Sequence, residues 1–248
     1  MYQKVEALVV RRTDLREHDR IITFYSRECG RVQAIARGVR KSGSKRAVLF
    51  EPFRVLEVVL RESKRGNLLS ISDISPLKEF THICGDLECL SAGFHILSML
   101  ARLTPADESE PELFQLAVDS LENLDCPGID SKSEILQFEL TFLKIAGLFP
   151  EIRECCECGQ NPFPIGEKSD SMFLSPRLGG VLCRSCARKQ TGSLRADDSV
   201  LRWLRGEYSG SVPAGLPGIM DRFYRYHYSG RYSPPLAFDT GHTVLTTS

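Results

Sequence analysis

Nine cysteines stand in this 248-residue chain, and four of them have a spacing that can hold a metal. Cys155-x-x-Cys158, followed at once by Gly159, and Cys183-x-x-Cys186 are joined by 24 residues. Two residues between sulfurs allow a tight turn to aim both at one point, and two such turns facing each other make a closed tetrahedron. Between the pairs, Phe173 to Leu182 reads as a hairpin turning at Gly179-Gly180. The expectation is a zinc ribbon with one structural Zn2+ held by Cys155, Cys158, Cys183 and Cys186. Cys156 leaves a second register open, since Cys156-x-Cys158 could replace the first pair, but the two-residue gap of the second pair favours Cys155. No histidine lies between residues 96 and 226, so the mixed ligand set and open position of a catalytic zinc are not offered. Such a metal contributes folding energy, of order 10 kcal/mol in zinc-finger peptides. Cys29, Cys84, Cys89 and Cys126 are scattered and are expected to serve as small core hydrophobes.

A second chemistry resides in charge. Between Arg31 and Arg46 stand six basic residues (Arg31, Arg37, Arg40, Lys41, Lys45 and Arg46) and no acidic one, with Gly38, Gly43 and two serines among them. A cationic segment of this kind can follow a phosphate backbone without one fixed geometry, and guanidinium groups add bidentate contacts. A solvated loop is the plainer reading. The distribution along the chain weighs against it: residues 1–75 hold 16 Lys and Arg against 9 Asp and Glu, residues 76–150 hold 4 against 13, and residues 151–248 hold 12 against 10, for a net charge of zero. The large surplus, 16 against 9, is confined to the first segment, where Arg11, Arg12, Arg61, Lys64 and Arg65 are expected on the same surface. Stacking platforms are harder to find. Phe24 and Tyr25 are adjacent in a strand, so one is expected to face out, whereas Phe50 and Phe53 read as core. Arg222 to Tyr228 mixes bases and aromatics at helical spacing and reads as a helix docking its aromatic face.

The elements that must position these groups change in character along the chain. Val5, Ala7 and Val9 alternate with their neighbours, Ile21–Ser26 follows, Glu28-Cys29-Gly30 turns, and Arg31–Val39 runs on. After a Ser-Gly-Ser loop come Pro52–Arg61, with Phe53, Val55, Glu57 and Val59 on one face, and, beyond Gly66-Asn67, Leu68–Ile74. Five strands in the first 78 residues suit a small antiparallel β-barrel of the OB type, and an SH3-like barrel fits almost as well from periodicity. From Pro76 the period becomes helical, with Ile83, Leu87, Leu90, Phe94, Leu97 and Ala101 as the stripe. Ser109-x-x-Glu112 and Ser131-x-x-Glu134 fit capping boxes ahead of two more helices carrying Leu113, Ala117 and Leu121, then Ile135, Phe138, Phe142 and Ile145, closed by Gly147 and Pro150. Asp198–Tyr208 and Ile219–Tyr228 read as further helices, and the tail from Phe238 as frayed. The fold class is thus α+β: residues 1–78 an OB-type barrel, 79–150 a helical domain, 151–190 the inserted four-cysteine element, and 191–248 C-terminal helices packing on the helical domain. No run of about 18 apolar residues is present to cross a membrane, and no cationic start leads an apolar signal region. The cytoplasm is the expected compartment.

Several stretches carry a family pattern. Glu6-Ala7-Leu8-Val9-Val10, Glu17-His18-Asp19-Arg20-Ile21-Ile22-Thr23-Phe24, Gly30-Arg31-Val32 and Ala36-Arg37-Gly38-Val39-Arg40 resemble the opening of RecO proteins. The Cys-x-x-Cys-Gly, the Gly-Gly-x-x-Cys-x-x-Cys and the Arg222–Arg231 segment fall in that family's order, so the resemblance covers nearly the whole chain. It implies a non-catalytic, nucleoid-associated recombination mediator of the RecF-type repair pathway. By that resemblance the chain binds single- and double-stranded DNA, anneals complementary strands, engages RecR and the acidic tail of the single-strand-binding protein, and helps RecA load. It also implies DNA contacts at Arg37, Arg40 and Lys41, with Lys45 and Arg46 extending them, and the charge distribution adds Arg12 and Arg65 to the expected DNA-binding set. The cations for the acidic tail are sought among Lys78, Arg102, Lys132 and Lys144, or in the C-terminal Arg202 or Arg205. Two rivals remain: a protein-interaction scaffold that does not touch nucleic acid, and a zinc-dependent nucleic-acid enzyme, for which the His-x-Glu or carboxylate cluster is missing. No small-molecule substrate and no membrane partner are expected.

Overall fold

A computed structural model of the chain describes residues 2–62, 68–162, 172–207 and 211–234. Lys64, Arg65, the Gly66-Asn67 turn and the tail from Phe238 lie outside them. The chain divides into two compact units, one formed by residues 1–138 and one by residues 139–234.

The first unit begins with five strands: β1 (Tyr2–Leu15), β2 (Asp19–Ser26), β3 (Gly30–Ala36), β4 (Arg54–Arg61) and β5 (Leu69–Glu79). β1 is long enough to serve two partners. Its residues Tyr2 to Leu8 pair with β4 and Ala7 to Leu15 with β2, and the register shifts between Val9 and Arg11, where a bulge lets the strand turn from one neighbour to the other. β2 pairs with β3 and β4 with β5, both antiparallel, while Ala34 and Ile35 of β3 pair in parallel with Leu69 and Ser70 of β5. Hydrogen bonding therefore runs in the order β1-β2-β3-β5-β4 and returns to β1.

One face of these strands fills the interior with Val5, Ala7, Val9, Ile22, Phe24, Val32, Ala34, Leu56, Val58 and Leu60. On β4 the interior face is thus Leu56, Val58 and Leu60, and Val55, Glu57 and Val59, which share a face as expected, are on the outer one. Phe53 and Val55 are buried nonetheless, and Phe53 meets Phe94 edge-on at 4.9 Å. Both Phe24 and Tyr25 are buried too, so neither offers a base a stacking face. The reason is that helices α1 (Leu87–Leu103) and α2 (Pro111–Leu124) cover the outer face of β2, and α1 also covers β1. Burial, with the charge of Glu110, pushes the Tyr25 phenol up.

The helices exist where expected, but their faces and caps differ. α1 buries Cys89, Ala92, Gly93, Ile96, Leu100 and Leu103, which follow i, i+3, i+4 and i+7 steps. Of the expected stripe, Leu97 is buried, while Leu87 is 80% and Phe94 47% exposed. Neither capping box forms. α2 starts at Pro111 without a side-chain cap, and the Ser109 hydroxyl donates instead to the Arg27 carbonyl at 2.8 Å. α3 (Ser131–Ile145) is capped by Asp130, which accepts the Lys132 and Ser133 N–H groups and the Ser133 hydroxyl. The capping residue thus precedes the predicted Ser131 by one, because a carboxylate outcompetes a hydroxyl for N–H groups at the positive helix end.

The boundary between the units falls within α3, after Phe138. The second unit contains the last turns of α3, a three-stranded sheet of β6 (Met172–Ser175), β7 (Gly180–Leu182) and β8 (Leu194–Ala196), the short α4 (Arg184–Ala187), and helices α5 (Asp198–Leu204) and α6 (Leu216–His227). α3 closes on Gly147, with Leu148 N–H bonding the Leu143 carbonyl. α6 docks its aromatic face on α3: the Tyr224 hydroxyl donates to the Glu139 carbonyl at 2.7 Å, and the Tyr232 hydroxyl to the buried Glu139 carboxylate at 2.9 Å.

Candidate metal and nucleic-acid sites

Two turns build the cysteine cluster. In the first, Gly159 N–H returns to the Cys155 carbonyl at 2.8 Å, folding Cys155–Cys158 into one tight loop. In the second, Cys183 precedes α4 and Cys186 lies within it. The β6–β7 hairpin brings the two together through a short bridge: Glu151 N–H donates to the Gly179 carbonyl, Val181 N–H to Glu151, and Cys156 N–H to Val181. The paired glycines have separate reasons. Gly179 holds a φ of 73° in the turn, and a Cβ on Gly180 would sit 2.4 Å from the Glu151 carbonyl oxygen and 2.6 Å from the Cys156 sulfur.

The sulfurs of Cys155, Cys158, Cys183 and Cys186 all lie within 4.8 Å of one another. Zinc–sulfur bonds of about 2.3 Å in a tetrahedron require sulfurs about 3.8 Å apart, and Cys158 and Cys183 stand at 3.9 Å. The donor set therefore fits a soft divalent ion. The Ser185 hydroxyl, then the Cys186 N–H, hold the Cys183 thiol low, at about 6, and the Cys183 N–H donates to the Cys155 sulfur. Cys156 turns toward the hairpin, where burial raises its thiol, and is not among the four. Of the other cysteines only Cys89 is buried; Cys84 and Cys126 are exposed, and Cys29, in the turn before β3, is half-buried against the interior of the five strands.

The basic run divides into residues that are brought together and residues that are not. The Asp19 carboxylate accepts the Gly38 N–H at 2.8 Å, and the Arg40 N–H donates to the His18 carbonyl at 3.0 Å, so the β1–β2 turn and the turn after β3 are joined. A cleft of about 540 Å³ lies between them, lined by Arg16, Glu17, His18, Asp19, Arg37, Gly38 and Lys41. Arg37 and Lys41 are exposed and in no ion pair with a described residue. Arg40 is committed locally, donating to the Arg16 carbonyl at 3.0 Å and standing 3.4 Å from Asp14. The Arg20 hydrogen bond, joined by the charges of Arg40 and Arg20, holds the Asp14 carboxyl below its usual range. Arg46 pairs with Asp73 and Arg12 with Glu51. Lys45 is exposed and is not part of the cleft lining, and Arg65 lies outside the described residues. Arg16 and His18 were missed from sequence. Their signal was a basic-acidic turn between two alternating strands, which only the pairing with Gly38 and Arg40 converts into a site.

Comparison with known proteins assigns both halves of the chain to one family. The family model described as Recombination protein O N terminal matches residues 1–80, and that described as Recombination protein O C terminal matches residues 84–232. The chain belongs to the RecO family. The DNA repair protein RecO of Desulfitobacterium hafniense (strain DSM 10664 / DCB-2) is 31% identical over 224 residues, 90% of this chain and 77% of that protein. The RecO of Anaeromyxobacter sp. (strain Fw109-5) is 33% identical over 223 residues, 88% and 85% of the two chains, and that of Dehalococcoides mccartyi (strain ATCC BAA-2266 / KCTC 15142 / 195) 30% over 191 residues, 76% and 72%. The first RecO segment ends one residue beyond β5, and the second opens just ahead of α1, so the match follows the change from strands to helices. Among the described residues no helix is long and apolar enough to cross a membrane.

Proposed function

We propose that the chain is a non-catalytic DNA-repair and recombination factor, in which an OB-type barrel binds nucleic-acid phosphates and the four-cysteine element holds one structural zinc ion. Strand order β1-β2-β3-β5-β4 with a parallel β3–β5 pairing supports the OB reading, and in that fold the β2–β3 face and the β1–β2 loop are where oligonucleotides bind. The observation that carries the proposal is the cleft at that loop, where Arg37 and Lys41 are exposed and in no ion pair with a described residue. Exposed cations without partners suit a phosphate backbone, which needs charge and reach more than shape.

Zinc is the ion the donor set fits best, since four thiolates leave no open position. When bound, it would fix the two Cys-x-x-Cys turns and the hairpin between them. Annealing needs no nucleophile: two strands held by weak backbone contacts meet at raised local concentration, and base pairing supplies the specificity. Membership of the RecO family supports the reading that the chain helps RecA load together with RecR and the single-strand-binding protein. For an acidic tail of the latter, a cleft of about 650 Å³ sets Lys144, Arg153 and Arg205 beside Phe149, Pro150 and Ile152. The test is acceleration of annealing of complementary oligonucleotides by the purified protein. No acceleration under low salt, with normal folding, would contradict the reading.

A further inference from the structure

The second unit carries a group of cations that the proposed function does not use. α4 sets Arg184 four positions before Arg188, which caps its end, and Lys189 follows. All three are exposed, and none is in an ion pair with a described residue. Three arginines of this unit are held locally: Arg202 pairs with Asp198, Arg225 with Asp221, and Arg205 donates to the Ile152 carbonyl. The Glu157 carboxylate does not reach this group, for it accepts from Gln190, whose own oxygen accepts from Arg177. Two like charges four apart on a helical turn repel each other. Four thiolates around a divalent ion leave two negative charges, and three cations outnumber them.

We infer that the outer face of α4 is a second nucleic-acid contact, taking the phosphate backbone of a single strand apart from the cleft of the first unit, so that one chain holds two strands. This rests on the reading of the first cleft as a strand-binding site. An acidic peptide is the weaker fit, since α4 turns Cys186 and Ala187 inward and the exposed neighbours in sequence are Ser185, Thr191 and Gly192, which offer no apolar anchor to add to charge. A backbone contact needs only charge.

The test titrates full-length protein with fluorescent oligothymidine across a salt series, with zinc content measured for every variant. The wild type should bind two strands per chain. R184A/R188A/K189A should bind one, with the summed slope of log K against log salt flattened by about 2, from about 0.7 per contact. It should also anneal more slowly, while R184K/R188K keeps both strands. If the alanine variant loses zinc, R184Q/R188Q answers the same question with longer polar side chains. Two strands bound by the variant at the wild-type slope would overturn the inference, as would one strand bound by the wild type. Loss of polyglutamate binding with unchanged DNA binding would also overturn it and assign the face to a protein partner. Unaltered binding by R37A/K41A would instead count against the first cleft, leaving the α4 result to stand or fall separately.

Discussion

The Gly38 backbone N–H donates to the Asp19 carboxylate at 2.8 Å, and with the Arg40 N–H on the His18 carbonyl this bond holds the turn after β3 against the turn between β1 and β2. Gly38 has a φ of 67°, a conformation in which its N–H can face the carboxylate and which side-chain-bearing residues rarely adopt. The acid in the middle of a basic cleft is therefore structural: it positions Arg37 and Lys41 although its charge opposes that of a phosphate.

Asp19→Ala and Asp19→Asn separate those two effects. Alanine leaves the Gly38 N–H without its acceptor and should cost about 1–2 kcal/mol, read as a lower thermal midpoint with weaker oligonucleotide binding. Asparagine keeps an acceptor and removes the charge, so stability should change less and binding should tighten. Equal weakening by both would show that the carboxylate charge itself is needed.

Cys158→Ser should abolish metal binding, and with it a contribution of roughly 10–16 kcal/mol seen for comparable sites, so the second unit should lose cooperative unfolding. Cys156→Ser should retain one metal ion per chain, since Cys156 faces the hairpin and not the cluster. Elemental analysis of the two purified variants decides it. Metal loss in the Cys156 variant alone would reverse the register.

Acid should release two helix starts. The Ser133 hydroxyl and backbone N–H groups hold the Asp130 carboxyl below its ordinary value, and the Ser199 hydroxyl and Val200 N–H do so for Asp197. A lowered folded-state value means stability fully present above the unfolded value, near 4, and lost as pH falls through the folded one. Asp130→Ala should thus cost about 1 kcal/mol at neutral pH and much less at about pH 3, measured by chemical denaturation. The same loss at both would contradict the capping role.

The buried face of α1 makes a sharper prediction. Ile96→Ala or Leu100→Ala should cost about 2–5 kcal/mol, since both side chains are fully buried, while Leu87→Ser should stay within about 0.5 kcal/mol. Comparable losses would restore the stripe read from periodicity.

That stripe shows where sequence reasoning stopped. Strand existence was legible because β1 to β5 alternate around an interior, and the two Cys-x-x-Cys pairs announced their own convergence. The phase of α1 was not: Leu87, Leu90 and Phe94 are more apolar than Cys89, Ala92 and Gly93, yet the small residues are the buried ones, and at Gly93 a Cβ would sit 2.6 Å from the Phe53 ring. Hydropathy ranks side chains, and packing selects by size as well. The basic run had the same limit. Its six cations look equivalent in sequence, but Arg40 and Arg46 have carboxylates beside them, Arg31 donates to the Thr104 carbonyl at 3.1 Å and Lys45 is outside the cleft lining, leaving Arg37 and Lys41 to line the cleft with Arg16, Glu17, His18 and Asp19 from another turn.

The most direct measurement is the salt dependence of single-stranded oligonucleotide binding by the wild type and by Arg37→Ala/Lys41→Ala. Two lost phosphate contacts should flatten the slope of log K against log salt by about 1.4, at about 0.7 per contact, with the thermal midpoint unchanged because neither side chain is in an ion pair with a described residue. An unchanged slope with intact binding would place the strand elsewhere and contradict the cleft as its site.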